Sequence, residues 1–328
     1  MPGPKAHHIF YKQLKQHLHK DTLDRFPHYD GYSIFAQGHD LLIYHDFYKI
    51  WSSRRLERNV HYSELLQEFY FPEFVYSYIK HAEEISVLHN EQICLFLAGY
   101  IGHHILDAYT HPLIIYYSGD HVRSLENATW RHGIIENLLD IYLMQTIEQK
   151  NPKVYSVYKD FAFPHGRIST ELKEVLNNSL NEIYGFENGG SSFEKAFPQL
   201  EWFMRIFKYD RSGIKRQIFD VLDPITKGTS SFSYNRSTDG VKTLLNEAHE
   251  KWRNPMSGQY SNESFMDLYK SALSDTANII NRLMAILDTI SICMDDVFNI
   301  IPNIASTHGL ECGQRLEINY TSQQEDKN

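Results

Sequence analysis

The stretch Leu95–Tyr117, LFLAGYIGHHILDAYTHPLIIYY, constrains this chain more than any other. His103, Asp107 and His111 are spaced four apart within it, so on a helix they share one face, one turn above the next. Their neighbours are apolar, which points the polar row into a protein interior. Buried imidazoles and carboxylates need strong partners, and a divalent metal satisfies several at once. Pro112 disfavours helical geometry at the residue before it, so His111 is expected at a frayed helix end, free to turn toward a shared ion. A second row follows in TWRHGIIENLLDIYLM, where His132, Glu136 and Asp140 recur every four residues among Ile134, Ile135, Leu138, Leu139 and Leu143. Two neighbouring helices with inward imidazole–carboxylate rows are a common way for helical bundles to build di-metal sites.

The histidines are placed unevenly. Fifteen of the eighteen lie in the first 132 residues, leaving His165, His249 and His308 beyond, so the chemistry is expected in the first half. The net charge of −9 argues against a broad nucleic-acid surface, because phosphate contacts want clustered Lys and Arg. Cys94, Cys293 and Cys312 are too widely spaced for a disulfide framework or a cysteine metal site. The N-terminal stretch holds no apolar run of signal-peptide length and nothing downstream reaches membrane-spanning length, so the expected location is cytoplasmic.

The pattern along the chain is helical with few convincing strands, and the expected fold is an all-α multi-helix bundle. Residues 6–19 carry Ile9, Phe10, Leu14 and Leu18 on one side. Residues 20–38 read mostly as loop, ending where Gly38 lets the backbone turn and present the Asp40 carboxylate inward. LLIY after it reads equally as a helical turn or an extended piece. Residues 55–70 read as a helix carrying His61, Pro72 opens the next helix, running to about Leu88, and Asn90 caps the helix of the first row. Beyond Gln149 further helices are expected near 168–184, 192–208, 238–252 and 262–292, the last capped by Asn262, with a long loop at 223–236. The expected organisation is a metal-binding half over 1–149, a helical extension over 150–316 and a disordered tail over 317–328. His39, His45 and Asp46 read as structural, and His104 as a packing residue. Asp140 reads either as a partner that fixes an imidazole or as an exposed residue.

Five ordered motifs, AHHIF, GHDLL, an isolated histidine before a helix (His61), HHILDAYTHP and HGIIE, resemble those of the bacterial zinc-dependent phospholipase C family. The resemblance covers roughly residues 6–145 and is strongest to its intracellular branch. It implies an all-helical fold, here with a helical C-terminal extension in place of a lipid-binding β-domain. It also implies that Asp40, His61, His103 and Asp107 hold a first zinc, and that His111, His132 and Glu136 hold a second. His7, with Asp107 bridging, serves a third. Two zinc ions are therefore expected, and the third site departs from the family pattern. Secreted members complete it with a processed N-terminal amine, where this chain reads Met1-Pro2-Gly3-Pro4. They also place the last histidine of the central motif after a proline, whereas His111 precedes Pro112.

The chemistry implied is hydrolysis of a phosphate ester, small or phospholipid, by a water whose pKa the metal lowers to about 7. Asp40 is the candidate to orient or deprotonate that water. Two other readings stand beside this one. The pairs His39–Asp40 and His45–Asp46 suggest an HD-type metal phosphohydrolase, which leaves the His132/Glu136 row unexplained. The donors also suit a metal-stabilised binding protein without turnover.

Overall fold

A computed structural model of the chain describes residues 3–47, 53–119, 125–163, 166–226, 229–234, 238, 241–288, 292–313 and 318–322. The all-α expectation holds: the only sheet among the described residues pairs β1 (Trp252–Arg253) with β2 (Tyr260–Ser261). The first part of the chain forms α1 (Pro4–Leu14), α2 (Lys20–Leu23), α3 (Leu41–Tyr44), α4 (Ser53–Glu68), α5 (Phe71–Glu84), α6 (Glu91–Ser118) and α7 (Leu125–Thr146). The second part adds α8 (Thr170–Tyr184), α9 (Gly189–Phe203), α10 (Ile214–Thr226), α11 (Val241–Leu244), α12 (Phe265–Leu287) and α13 (Met294–Phe298).

The central element is α6. Asn90 caps it by accepting the Gln92 N–H, and its residues are buried on nearly every side. A helix apolar all round belongs inside a protein, and α6 is wrapped by α1, α7, α12 and a run of 3₁₀ turns over Tyr29–Asp40. Gly99 lets that run close: a Cβ there would lie 2.7 Å from the Phe35 carbonyl carbon. The helix does not fray at His111 as expected but continues through Pro112 to Ser118. Proline lacks the N–H that would bond the Ala108 carbonyl. Gly309, at φ +66, packs where its Cβ would stand 2.4 Å from that carbonyl oxygen.

The apolar cores of the two expected halves merge into one cluster running from Ala6 to Ile301. A buried ion pair also crosses between them, with Lys5 Nζ 2.5 Å from Asp160 and 2.7 Å from Glu148. Several local expectations change. LLIY is a helical turn, and α5 ends at Glu84 rather than near Leu88. The helix expected over 238–252 shrinks to α11, because Asn246 and His249 take left-handed backbone angles and the Asn246 side chain bonds the Glu250 main chain instead. Part of the expected loop is the end of α10, and α12 starts three residues after Asn262, capped by Ser264 with Asp267 in reciprocal hydrogen bonds. The expected disordered tail does not hold over 318–322. The amides of Asn319 and Tyr320 donate to the Pro255 carbonyl, and Ser322 Oγ donates to Tyr116. No helix among the described residues is long and apolar enough to cross a membrane.

Candidate metal centre

Three segments bring donors together. His7 comes from the first turns of α1, His39 and Asp40 from the end of the 3₁₀ run, and His103 and Asp107 from the middle of α6. Gly38 makes the meeting possible. It sits at φ +47, and a Cβ there would lie 2.5 Å from the His103 ring. Two close groups result, His7–His103–Asp107 and His39–Asp40–His103, each with donor atoms within 4.8 Å of one another and all residues buried. His103 belongs to both.

The protonation of His103 follows from its partners. Its Nδ1 lies 2.9 Å from the Ala36 carbonyl oxygen, which can only accept, so Nδ1 carries the proton and Nε2 presents a lone pair. That lone pair lies 3.2 Å from Asp107 Oδ2 and 4.0 Å from Asp40 Oδ2. His39 is held similarly. Ser306 Oγ lies 3.3 Å from His39 Nε2 and 3.5 Å from the Gln67 carbonyl oxygen. His39 Nδ1 faces Asp40 Oδ1 at 3.3 Å. His7 Nε2 approaches Asp107 Oδ1 at 3.2 Å, and the His7 and His103 rings lie 4.0 Å apart.

The electrostatics register this crowding. Burial pushes the Asp107 carboxyl up to about 8, against the pull of His103, and Asp40 and Glu136 add repulsion. Asp40 is raised by burial, with His103 and His7 pulling the other way. Burial pulls His103 well below its ordinary range and takes His39 down to about 3. The His103 lone pair thus faces the Asp107 carboxyl in a dry interior, and neither Asp107 oxygen accepts a hydrogen bond from a described residue. A divalent cation fits this arrangement, since nitrogen and carboxylate oxygen are zinc's ordinary protein donors. A carbonyl that fixes the imidazole tautomer is the usual support for such a donor.

The second row is more open. His132 Nε2 lies 2.9 Å from Glu136 Oε1, and the His132 ring meets His111 edge-on at 5.1 Å. Burial would raise Glu136, but the surrounding positive groups, His132 foremost and Lys208 among them, together hold the carboxylate down to about 2. Glu136 raises both Asp40 and Asp107, which ties the row electrostatically to the buried groups.

Two expectations change places. The structure does not bring His61 to the site. The inward face of α4 is given by Ser63 and Leu66, and His61 falls on the exposed side with Glu64. His39, read as structural, is the residue against Asp40 and His103. His104 does pack, stacked on Phe71 at 3.7 Å with Nε2 2.7 Å from the Ile304 carbonyl oxygen. Asp140 is neither exposed nor in contact with an imidazole; it is buried and accepts the amides of Lys5 and Ala6 and the Tyr234 hydroxyl. Tyr234 and Ser306 have no local signal in the sequence, because each acts across a long stretch of chain.

Compared with models of protein families, with curated proteins and with solved structures, the chain finds no match.

Proposed function

We propose that the protein is a zinc-dependent hydrolase of phosphate esters, of the phospholipase C-like kind, with its reaction centre between the buried groups and the α7 row. The observation that carries this reading is the convergence of His7, His39, Asp40, His103 and Asp107, whose ring nitrogens and carboxylate oxygens lie close to one another in the interior. These residues would hold one part of a metal cluster, and His111, His132 and Glu136 another, with two or three ions in all. When bound, zinc supplies a Lewis acid for the phosphoryl oxygens and a water acidic enough to ionise near pH 7.

The chain's own residues contribute the rest. Asp40 lies at the edge of the buried groups, 8% exposed, so its carboxylate can orient a water and take its proton. The Ala36 carbonyl keeps the His103 lone pair directed at the site. The apolar envelope of α6 excludes bulk water, which strengthens each charge interaction within. A cytoplasmic location and a small or lipid phosphate ester as substrate belong to this proposal.

One observation favours a second reading. The adjacent His39–Asp40 pair sits inside the cluster with His103, as an HD-type phosphohydrolase would use it. His132→Ala separates the two, since only the first reading needs the α7 row for turnover. The direct experiment measures bound metal, then hydrolysis of generic phosphodiesters and phosphomonoesters with and without chelator. Chelator-sensitive hydrolysis, lost in a folded His103→Ala variant, supports an enzyme. Tightly held zinc with no turnover across the panel leaves a metal-stabilised binding protein instead.

A further inference from the structure

Asp140 lies on α7 one turn beyond Glu136, yet its carboxylate serves a different helix. Oδ1 accepts the Ala6 N–H at 2.8 Å and Oδ2 accepts the Lys5 N–H at 3.2 Å. These are first-turn amides of α1: Lys5 has no carbonyl of its own helix to donate to, and Ala6 shares its N–H with the Gly3 carbonyl at 3.0 Å. The carboxylate therefore caps α1 from outside, in the place an N-cap side chain normally fills, and Gly3 makes no side-chain cap of its own. The fit is close: a Cβ on Gly3 would lie 2.4 Å from Asp140 Oδ2. On its other side the same carboxylate accepts the hydroxyl of Tyr234 at 2.5 Å, and Lys208 Nζ lies 5.2 Å from the centre of the Tyr234 ring. Asp140 and Tyr234 are 0% and 1% exposed. His7 follows directly on α1, with Nε2 3.2 Å from Asp107 Oδ1. A shift of the first turn of α1 moves that imidazole with it.

We infer that Asp140 and Tyr234 are positioning residues for the metal centre, holding the first turn of α1 so that His7 meets Asp107 and His103. Tyr234 thereby gives the second half of the chain a role in a site whose donors all come from the first. This rests on the metal-dependent reading above, and the test separates the two.

Tyr234→Phe removes one hydroxyl and keeps the ring, and Asp140→Asn keeps the shape while removing the charge. Amide hydrogen exchange over residues 5–8 reads the clamp itself. Zinc(II) affinity by chelator competition, together with the absorption spectrum of the cobalt(II)-substituted protein, reads its effect on the donors. Both variants are expected to exchange faster at Lys5 and Ala6, to bind one zinc about tenfold more weakly, and to change the cobalt spectrum in the direction of His7→Ala. Should Asp140→Asn fail to fold, Tyr234→Phe carries the test alone. Wild-type protein that binds zinc, with variants that loosen at residues 5–8 but keep its affinity and the cobalt spectrum, overturns this inference and leaves the metal reading standing. Wild-type protein that takes up neither zinc nor cobalt overturns both.

Discussion

His103 and Asp107 on α6 are 1% and 0% exposed, whereas the side chains of His132 and Glu136 on α7 keep 13% and 21% of their surface in contact with solvent. The two rows have the same spacing and nearly the same chemistry, and they differ in what surrounds them. Protein encloses α6, so its donors have exchanged water for one another, and Asp107 holds its proton up to about 8. Glu136 is held down to about 2 against its burial by the groups around it, foremost the imidazole one turn before it. The difference teaches that the i, i+4 pattern sets which residues meet, while the envelope sets what they need. An enclosed row needs a proton or a cation between its members, and a half-open row can be satisfied by its own ion pair and water.

The strongest way to break this comparison is Asp107→Ala. It removes the carboxylate that both His7 and His103 approach, and is expected to abolish binding of at least one zinc and cut hydrolysis by more than about a hundredfold. Loss of a supporting partner alone typically costs 10–100-fold, and Asp107 is itself a donor in the proposed site. Metal analysis and steady-state rates check it.

Next comes removal of the metal. An ion at about a hundred times its dissociation constant stabilises by roughly 2.7 kcal/mol, so chelator should lower the melting temperature by several degrees. The metal-free protein should then show its own pH profile. His39 and His103 have depressed pKa values, so each adds stability as pH rises toward about 6.5, opposed there by the raised carboxyls of Asp40 and Asp107. Asp107 is raised, so up to about 8 the folded state binds more protons, and stability falls as pH climbs from about 6.5 to 8. Asp107→Asn should abolish that fall, as melting curves across pH would show.

A smaller effect is expected in the half-open row. Glu136→Gln should lose one ion and most activity, yet between metal-free proteins it should change folding stability by less than about 1 kcal/mol, because an ion pair with solvent access contributes little. The smallest effect distinguishes the family pattern from this structure. His61→Ala should leave zinc content unchanged, whereas His39→Ala should lower it.

Much of the fold was legible because helices announce themselves locally. The Asn90 cap, the apolar girth of α6, Gly38 before Asp40 and Pro72 at the start of α5 are short-range signals, and each sits where expected. The continuation of α6 through Pro112 was not, since the structure that accommodates it, Gly309, lies almost two hundred residues away. The donor rows were legible by period. The exchange of His61 for His39 was not, because a histidine on a short irregular run carries no periodicity to mark its face. Tyr234, Lys208 and Ser306 were illegible for the same reason as most tertiary contacts: nothing near them in sequence records what they touch. The ordered segment 318–322 looked polar enough to be free, and its main-chain bonds to Pro255 show that composition does not register backbone pairing.

Ser306 is the hydroxyl against His39 Nε2. The proposed donors, from His7 to Glu136, are all made before this hydroxyl, which follows Glu136 by 170 residues. During synthesis, then, the nascent chain carries its histidines and carboxylates well before the contact that orients His39 exists. An ion captured in that interval meets a site whose His39 imidazole can still rotate, and order of manufacture becomes part of how selectively it is filled.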